Sequence, residues 1–196
     1  MCGRYYVDEQ TAEEIKRLVY RISRNLQMKI TTGDVRPSES APVLLREAAG
    51  WRPAMMKWGF PGREGAGLLI NARSETVLEK PTFRDAIRIR RCVIPAGGFY
   101  EWNSRREKYK CFRRGQKVMY LAGCFNRFEE EERFVILTTK ANHSMAAIHE
   151  RMPLLVPEED LETWLEDSSA LSGLLAGEPE PLLTETEYRQ MTLDLF

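Results

Sequence analysis

Five short segments with the composition of β-strands follow one another between residues 92 and 139, and they constrain the fold more than any other feature. They are Cys92–Ile94, Phe99–Asn103, Tyr109–Arg113, Val118–Cys124 and Phe134–Thr139. Runs of this length, rich in branched and aromatic residues and bounded by turn residues, are typical of an antiparallel sheet. Arg114-Gly115 is predicted to form a hairpin turn between the third and fourth segments.

Further strands and three helices complete the predicted fold. Two strands are expected upstream, at Val43–Glu47 and Arg52–Trp58, on either side of Ala49-Gly50. A capping-box pattern at Thr11-Ala-Glu-Glu14 predicts a first helix, whose apolar stripe is formed by Ile15, Leu18, Val19, Ile22 and Leu26. A second helix is predicted from Thr82 through Arg91 and a third from Pro157 to Leu165. The sequence therefore predicts an α+β fold with a curved, mainly antiparallel, barrel-like sheet and flanking helices.

The length and the cysteine pattern narrow the class of protein. With 196 residues, we expect a single domain spanning 1–196, with an acidic segment at 157–189 and a tail at 190–196. No apolar run approaches the ~18 residues of a membrane span and no secretory signal is visible, which predicts a cytoplasmic, nucleoid-associated monomer. Four widely spaced cysteines without a C-x-x-C pair argue against a disulfide framework, a metal site or a cofactor. Cys92, Cys111 and Cys124 are expected to be reduced and buried.

Charge is distributed unevenly although the net charge is zero. Of 29 basic and 29 acidic side chains, residues 157–196 carry 1 and 11, which leaves 28 and 18 in the rest of the chain. A basic body suits a polyanion, because neutralising phosphates releases their condensed counterions. A solvated surface followed by an acidic tail explains the same numbers.

Cys2 directly follows the initiator methionine, so removal of Met1 would make it the N-terminal residue. An N-terminal cysteine carries an amine and a thiol on adjacent carbons. Their reference pKa values are about 7.7–8.0 and about 8.5, so both groups are expected to be partly deprotonated near neutral pH. Such a pair attacks an aldehyde twice, because the amine forms an imine and the thiol then closes a thiazolidine ring.

Four segments place chemically competent groups beside glycine, proline or strand ends. They are Met1-Cys-Gly-Arg-Tyr5; Trp58-Gly-Phe with Ile70-Asn-Ala-Arg-Ser-Glu-Thr76; Pro95-Ala-Gly-Gly-Phe-Tyr-Glu-Trp102; and Ile148-His-Glu-Arg-Met-Pro153. Together, and in this order, they resemble the SOS response-associated peptidase family of abasic-site-processing proteins. The resemblance runs from Cys2 to about Pro157.

The resemblance implies a set of site residues. The nucleophile of the family falls on Cys2, and its active-site asparagine, glutamate and histidine fall on Asn71, Glu101 and His149. Members of the family bind single-stranded DNA and link this cysteine to the ring-opened aldehyde of an abasic site, in the context of the SOS response. The residues that the resemblance implies for DNA contact are Arg4, Pro37, Trp58, Gly59, Arg73, Trp102, Thr138, Thr139 and Arg151.

Elementary chemistry agrees with these roles. Loss of water from a carbinolamine needs a proton shuttle, and apolar neighbours of Glu101 are expected to raise the pKa of its carboxyl toward neutrality. His149 titrates in the same range and could donate a proton to the departing sugar oxygen. Asn71 does not titrate, so we expect it to orient the amine or the thiol. Ring closure is intramolecular, and effective molarities of such steps reach ~10⁵ M.

Other activities are compatible with the same residues. An imine acidifies the neighbouring sugar carbon, so a lyase reaction by β-elimination is one side activity, and slow reversal of the cross-link is another. Cys2 with His149 and Asn71 also has the composition of a cysteine peptidase, for which removal of its own Met1 would be the minimal act. A non-covalent single-strand-binding module would use only the basic groove and aromatic stacking.

The chain ends on an apolar peptide, Gln190-Met-Thr-Leu-Asp-Leu-Phe196. It resembles the Q-x-x-L-x-L-F peptide by which bacterial replication and repair proteins dock on the sliding clamp. Gln190 would be the polar anchor, and Leu193, Leu195 and Phe196 the apolar anchors. A final edge strand packed on the domain is the alternative.

Overall fold

A computed structural model of the chain describes residues 2–22, 24, 28–48, 50–62, 65 and 67–186. The strands are β1 Tyr5–Val7, β2 Gly33–Val35, β3 Ser40–Glu47, β4 Gly50–Trp58, β5 Phe60–Pro61, β6 Leu68–Leu69, β7 Asn71–Arg73, β8 Arg91–Ala96, β9 Gly98–Trp102, β10 Lys108–Phe112, β11 Met119–Phe128, β12 Glu131–Lys140, β13 Arg151–Pro153, β14 Leu155–Val156 and β15 Leu183–Thr186. The helices are α1 Glu9–Ile22, α2 Pro81–Ile89, α3 Leu161–Glu166, which follows a 3₁₀ turn at Glu158–Asp160, and α4 Leu171–Ala176.

Five strands close into a barrel. Strand β12 pairs with β4, β4 with β3, β3 with β8, β8 with β11, and β11 again with β12. Among the described residues, β12 runs parallel to β4 and to β7, and the other pairings are antiparallel. The predicted α+β fold with a mainly antiparallel, barrel-like core is confirmed.

A second sheet, with the strand order β15-β10-β9-β1-β2, lies against the barrel. Successive side chains of a strand point to opposite faces of a sheet. Tyr5, Phe99 and Cys111 lie on one face and share a core with barrel residues such as Ile94 and Phe134. This second sheet carries parts of two of the four motifs, because β1 follows Cys2 and β9 carries Glu101.

The predicted hairpin at Arg114-Gly115 is wrong. Strand β10 pairs with β9 and β15, whereas β11 pairs with β8, β12 and β14. The turn therefore carries the chain from the second sheet into the barrel. A turn sequence fixes a local reversal, with Gly115 at φ +70°, but it does not decide which strands pair.

The helix starts differ from the predicted ones. Asp8 caps α1, because its Oδ1 accepts hydrogen bonds from the Thr11 backbone N at 2.8 Å and the Thr11 hydroxyl at 2.7 Å. Thr11 thus lies inside the helix. Likewise α2 begins at Pro81, and Thr82 does not cap it. Leu26, the last residue of the predicted stripe, and Ala49 lie outside the described residues.

The remaining expectations from composition concern cysteines, metals and membranes. All four cysteines are free and buried, as expected for Cys92, Cys111 and Cys124. Within the described ranges, no group of three or more histidine, cysteine or acidic residues is arranged to hold a metal ion. The same part of the chain contains no helix that is long and apolar enough to cross a membrane.

Candidate active site

Cys2 lies directly before β1, and its side chain is fully buried. The amide Nδ2 of Asn71, at the start of β7, donates a hydrogen bond to the Cys2 carbonyl oxygen at 2.9 Å. Asn71 is itself fixed by the pairing of β7 with β12, in which it lies opposite Ile136. Residues 69 positions apart in sequence therefore meet, and Asn71 orients the backbone of Cys2.

Glu101 belongs to the buried face of β9, together with Phe99 two residues earlier. Its side chain is 2% exposed. Burial raises the pKa of the Glu101 carboxyl, and the nearby His149 lowers it in part. The predicted direction of the shift is confirmed. A carboxyl of this kind exchanges protons closer to neutral pH than a solvated one.

His149 has its ring nitrogen Nδ1 engaged by the backbone. The Arg151 N–H donates to Nδ1 at 2.9 Å. The Arg151 carbonyl oxygen lies 3.2 Å from the same nitrogen, and with Nδ1 as the acceptor of the shorter contact the ring proton is assigned to Nε2. His149 therefore has a hydrogen-bond donor at Nε2 and lies close enough to Glu101 to influence its ionisation.

The thiol of Cys2 does not match the expectation of partial deprotonation at neutral pH. Burial, followed by the nearby Glu101 carboxylate, raises the pKa of the Cys2 thiol far above its ordinary value. Cys2 is therefore a neutral thiol in this environment. The reference pKa of a thiol applies to a solvated side chain. The position of Cys2 near the start of the chain does not indicate that its side chain is buried.

Two further buried polar atoms belong to this cluster. The Tyr5 hydroxyl and Asn71 Oδ1 are buried and make no hydrogen bond within the described part of the chain. Buried polar atoms almost always have partners, so these two are available to a bound group. Sequence reasoning missed Tyr5 and Cys111. The burial of Cys111 was predicted, but its proximity to Glu101 depends on the pairing of β9 with β10.

Arg151 has a structural partner. Its guanidinium pairs with both carboxylate oxygens of Glu75, at 2.6 and 2.8 Å, and donates to the Thr138 carbonyl oxygen at 2.7 Å. Arg151 is 9% exposed, and Thr138 is fully buried. These contacts join β13, β12 and the segment after β7, which positions His149. In this arrangement the charge of Arg151 is paired with Glu75, and the phosphate contact that the resemblance implies stays a prediction.

Trp58 also lies in the interior, since its side chain has no exposed surface. The indole packs beside Tyr5, at a centroid distance of 5.4 Å, and its Nε1 donates to the Ile70 carbonyl oxygen at 2.9 Å. A ring in this position packs the core and has no free face for a base. The aromatic signal in the sequence did not distinguish a core residue from a stacking platform.

The residues after Trp58 form a corner with the loop that contains Pro37. The Ser38 N–H donates to the Trp58 carbonyl oxygen at 2.8 Å, and the Gly59 N–H donates to that of Phe134 at 2.8 Å. Gly59 has φ +112°, and a Cβ there would lie 3.2 Å from Leu68 Cβ. Glycine is therefore required at this corner. Pro37 and Gly59, far apart in sequence, lie on one edge of the site.

Arg4 and Trp102 form a pair at the surface. The Arg4 guanidinium carbon lies 5.3 Å from the Trp102 ring centroid, and Arg4 also contacts Asp34 at 3.4 Å. Arg73 is exposed at the end of β7, and Thr139 is half-buried on β12. These four side chains reach solvent and can contact a ligand. The tail residues Gln190, Leu193, Leu195 and Phe196 lie outside the described residues, so clamp docking stays a prediction.

The two glycines before Glu101 in the third motif, Gly97 and Gly98, have no room for a side chain. A Cβ on Gly97 would lie 2.7 Å from the Tyr6 ring, and one on Gly98 would lie 2.3 Å from the Cys111 carbonyl oxygen. Contacts below 3.0 Å require displacement of the backbone. The glycines thus allow Tyr6 to lie flat across the start of β9 and β10 to approach it closely.

Comparison with known proteins agrees with the motifs. The chain is 30% identical over 185 residues to the abasic site processing protein YoqW of Bacillus subtilis, which covers 84% of this chain and 80% of that protein. It is 27% identical over 189 residues to the abasic site processing protein YedK of Escherichia coli, covering 91% and 84%.

Solved structures agree on the fold. A crystal structure from Bordetella bronchiseptica superimposes with a TM-score of 0.78 at 20% identity, covering 96% of this chain and 100% of that one. One from Bacteroides thetaiotaomicron gives 0.76 at 22% identity, covering 94% and 91%. The sequence model of the SOS response associated peptidase (SRAP) family matches residues 1–192. This chain therefore belongs to the SRAP family, as its four motifs predicted.

Proposed function

We propose that this protein processes abasic sites in single-stranded DNA by capturing their ring-opened aldehyde on Cys2. The observation that carries the proposal is the buried cluster around Cys2, in which Asn71 holds the backbone at 2.9 Å and a carboxyl with a raised pKa lies alongside. The names of the relatives YoqW and YedK, abasic site processing proteins, support the same substrate. Captured DNA would be protected during the damage response.

The chemistry proceeds in two balanced steps once Met1 has been removed. The Cys2 amine adds to the aldehyde, and the carbinolamine loses one water to form an imine. The Cys2 sulfur then bonds to the imine carbon, and the thiol proton ends on the nitrogen. Glu101 delivers and accepts these protons, because burial raises the pKa of its carboxyl above the ordinary value. No metal or organic cofactor takes part.

The raised pKa of the Cys2 thiol fits this order of events. A neutral thiol does not compete with the amine for the aldehyde, so the amine attacks first. After imine formation the sulfur is three bonds from the nitrogen, and its burial is no obstacle to an intramolecular ring closure. Asn71 keeps this backbone in place, and the Tyr5 hydroxyl is available to the thiol or the sugar.

The sugar and the flanking phosphates are assigned to the rim of the site. His149 donates a hydrogen bond from Nε2 to the sugar oxygen as the abasic ring opens. Arg4, Arg73 and Trp102 contact the strand, and the corner of Pro37 and Gly59 limits its path. Thr139 and the backbone of Thr138 add polar contacts. Arg151 and Trp58 act indirectly, by holding the elements in place.

The peptidase alternative requires a reactive thiolate. Activated cysteines have a lowered pKa beside a cation or a helix N-terminus, whereas burial raises the pKa of Cys2. The neighbouring charge is a carboxylate, which also disfavours the thiolate. These observations favour aldehyde capture over peptide hydrolysis. A lyase reaction through the same imine remains a side activity of the proposed chemistry.

The direct test is a cross-linking assay on denaturing gels. Processed protein lacking Met1, incubated with an abasic single strand, should give an adduct that survives denaturation, and an intact strand should give none. Cys2→Ala should lose the stable adduct, while the matched control Cys124→Ala, a buried cysteine in the other core cluster, should keep it. Absence of an adduct with the processed wild-type protein would refute the proposal.

A further inference from the structure

The face of the second sheet that points away from the barrel is built from aromatic and basic side chains. Tyr6 lies on β1, Tyr100 and Trp102 on β9, and Lys108 and Lys110 on β10. Their neighbours Tyr5, Phe99, Glu101 and Cys111 occupy the buried face, so the alternation along each strand separates the two sets. We call the surface formed by Tyr100, Lys108 and Lys110, with the nearly buried Tyr6 (7% exposed) beneath Lys110, the outer platform.

Strand register brings these residues together. Lys108 lies opposite Trp102, and Lys110 lies opposite Tyr100. Side chains directly opposite or diagonal to one another on one face are within contact distance. The outer platform is therefore continuous with the Arg4–Trp102 pair at the rim of the proposed site.

Each cation of the outer platform covers an aromatic ring. Lys108 Nζ lies 3.8 Å from the Tyr100 ring centroid, and Lys110 Nζ lies 4.6 Å from that of Tyr6. The Tyr6 and Tyr100 rings are 5.5 Å apart. The platform repeats the pattern of Arg4 over Trp102, and Lys110 Nζ also lies 5.7 Å from the Phe112 ring centroid, so the described residues of this sheet hold four cation–π pairs.

One side of the platform is closed by β15. Glu185 lies opposite Lys110 in the pairing of β10 with β15. Tyr100, Lys108, Lys110, Glu185 and Thr186 line a shallow concavity of about 510 Å³. Lys108, Lys110 and the Tyr100 ring thus line this concavity, and the Glu185 carboxylate lies at its far edge.

We propose that the outer platform binds a second stretch of the single DNA strand, outside the abasic-site pocket. This inference rests on the proposed function and extends it to the flanking nucleotides. Bases stack on Tyr100, and phosphates bind Lys108 and Lys110, which exchange their ring contacts for the anion. Glu185 opposes the phosphates and limits the affinity.

The chemistry of the surface favours a nucleic acid over an acidic protein segment. Non-specific binding of single strands combines a basic track with aromatic rings on which bases stack. An acidic peptide would bind the lysines, but the aromatic rings that alternate with them would add nothing to its binding. The continuity with Arg4 and Trp102 supplies a path from the pocket to the platform.

The test measures binding of unmodified single strands by fluorescence anisotropy, with oligonucleotides of about 4 and about 16 nucleotides, which bracket common single-strand site sizes. Lys108→Ala/Lys110→Ala should weaken binding of the long strand and reduce the salt slope of log K by about 1.4, since each phosphate contact on a single strand contributes about 0.7. Lys16→Ala/Lys80→Ala, on exposed helix-region positions, removes the same charge elsewhere and should change neither quantity.

Three further variants test stacking and repulsion separately. Tyr100→Ser should weaken long-strand binding by about fivefold or more, whereas Tyr100→Phe keeps the ring and should bind as the wild type does. Glu185→Gln should tighten binding. Circular dichroism and thermal unfolding of each variant verify that the fold is intact.

The outcomes separate this inference from the proposed function. Lys108→Ala/Lys110→Ala should still cross-link the short abasic strand at the wild-type rate; if wild-type protein fails to cross-link it, the proposed function falls and the platform does not. Wild-type affinity and salt slope in the double lysine variant would overturn the platform. Displacement of the long strand by polyglutamate as readily as by an oligonucleotide of equal charge would assign the face to an acidic peptide instead.

Discussion

The two faces of the second sheet are made from the same strands but have opposite physical character. On the inner face Glu101 and Cys2 are buried, and burial raises the pKa of both side chains. On the outer face Arg4, Lys108 and Lys110 lie over aromatic rings within reach of solvent. Under the proposed function, adjacent residues such as Glu101 and Trp102 serve different purposes. The two-residue alternation of the strand then separates proton chemistry from strand contact.

This difference implies that changes on the inner face cost more than changes on the outer face. A buried group that loses its partner pays the full cost of desolvation, whereas an exposed group returns to water. Four substitutions, in order of decreasing effect, test whether the faces are as distinct as their burial suggests.

The largest effect is expected for Glu101→Gln. Loss of the proton shuttle should lower the single-turnover cross-linking rate by about 10²–10⁴-fold, the usual contribution of general acid–base catalysis. Because burial raises the pKa of the Glu101 carboxyl, the wild-type rate should change with pH above the range in which an ordinary glutamate titrates, and this part of the pH dependence should be lost in the variant. Glu107→Gln, a carboxyl bound to Arg105 at the surface, should behave as wild type. A Glu101→Gln rate equal to that of wild type would contradict the assignment.

Glu75→Gln tests the buried support beneath His149. It leaves the 11% exposed Arg151 side chain without its anion. The expected loss is about 3 kcal/mol of unfolding free energy, the low end for buried pairs, because Glu75 itself is 45% exposed. Glu13→Gln, in an exposed pair with Lys16, should cost at most about 0.5 kcal/mol.

The Glu75 pair also predicts a pH dependence. The Arg151 hydrogen bonds hold the pKa of Glu75 below its ordinary value. The pair therefore contributes stability above the unfolded pKa of about 4.3 and loses it as the pH falls through the folded pKa. Urea unfolding should show the difference between wild type and Glu75→Gln at pH 7 and a smaller one below pH 4. A constant difference would exclude the ion pair as its source.

Gly98→Ala tests how closely β10 and the Tyr6 ring approach the backbone of β9. A Cβ at Gly98 would lie 2.3 Å from the Cys111 carbonyl oxygen and 2.7 Å from the Tyr6 hydroxyl, so backbone must move. Overpacking of this kind costs about 2 kcal/mol. Gly173→Ala, in α4 with nothing within 4 Å, should instead stabilise by about 0.5–1 kcal/mol. Equal thermal shifts for the two variants would show that Gly98 is not crowded.

Lys108→Ala should have the smallest effect on stability. Its contact with the Tyr100 ring at 3.8 Å is partly exposed, and such cation–π pairs contribute about 0.5–1 kcal/mol. Chemical denaturation measures this difference, and Lys80→Ala, at an exposed position before α2, is the control. A loss as large as that of Glu75→Gln would mean that the outer face is structural.

The sequence predicted the fold class, most strands and the family because alternation and the four motifs are local signals. Strand partners were less accessible: Arg114-Gly115 looked like a hairpin turn, but β10 and β11 belong to different sheets. Burial of Trp58 and Arg151 also escaped prediction. Tryptophan and arginine occur both at DNA-binding surfaces and in protein interiors. Only the packing around β12 distinguishes these two roles for Trp58 and Arg151.

The direction of the Glu101 pKa shift was predictable from the sequence. For Cys2 the sequence did not predict the raised pKa of the buried thiol. Tyr100 and Trp102 flank Glu101 in sequence, although the burial of the carboxyl comes from the inner face, with Phe99 and Cys111. The thiol of Cys2 lies under the second sheet, which no local pattern indicates. Proximity to Asn71 was implied by family resemblance alone, since 69 positions separate the two residues.

Intact-mass spectrometry of the cross-linked protein tests the central claim most directly. Wild-type protein without Met1, joined to an abasic single strand, should have the summed mass of the two partners minus one water, and borohydride should not be needed to trap it. Proteolysis should place the DNA on Cys2, and protein that retains Met1 should give no such species. A stable adduct that retains Met1, or one attached at any residue other than Cys2, would contradict the account.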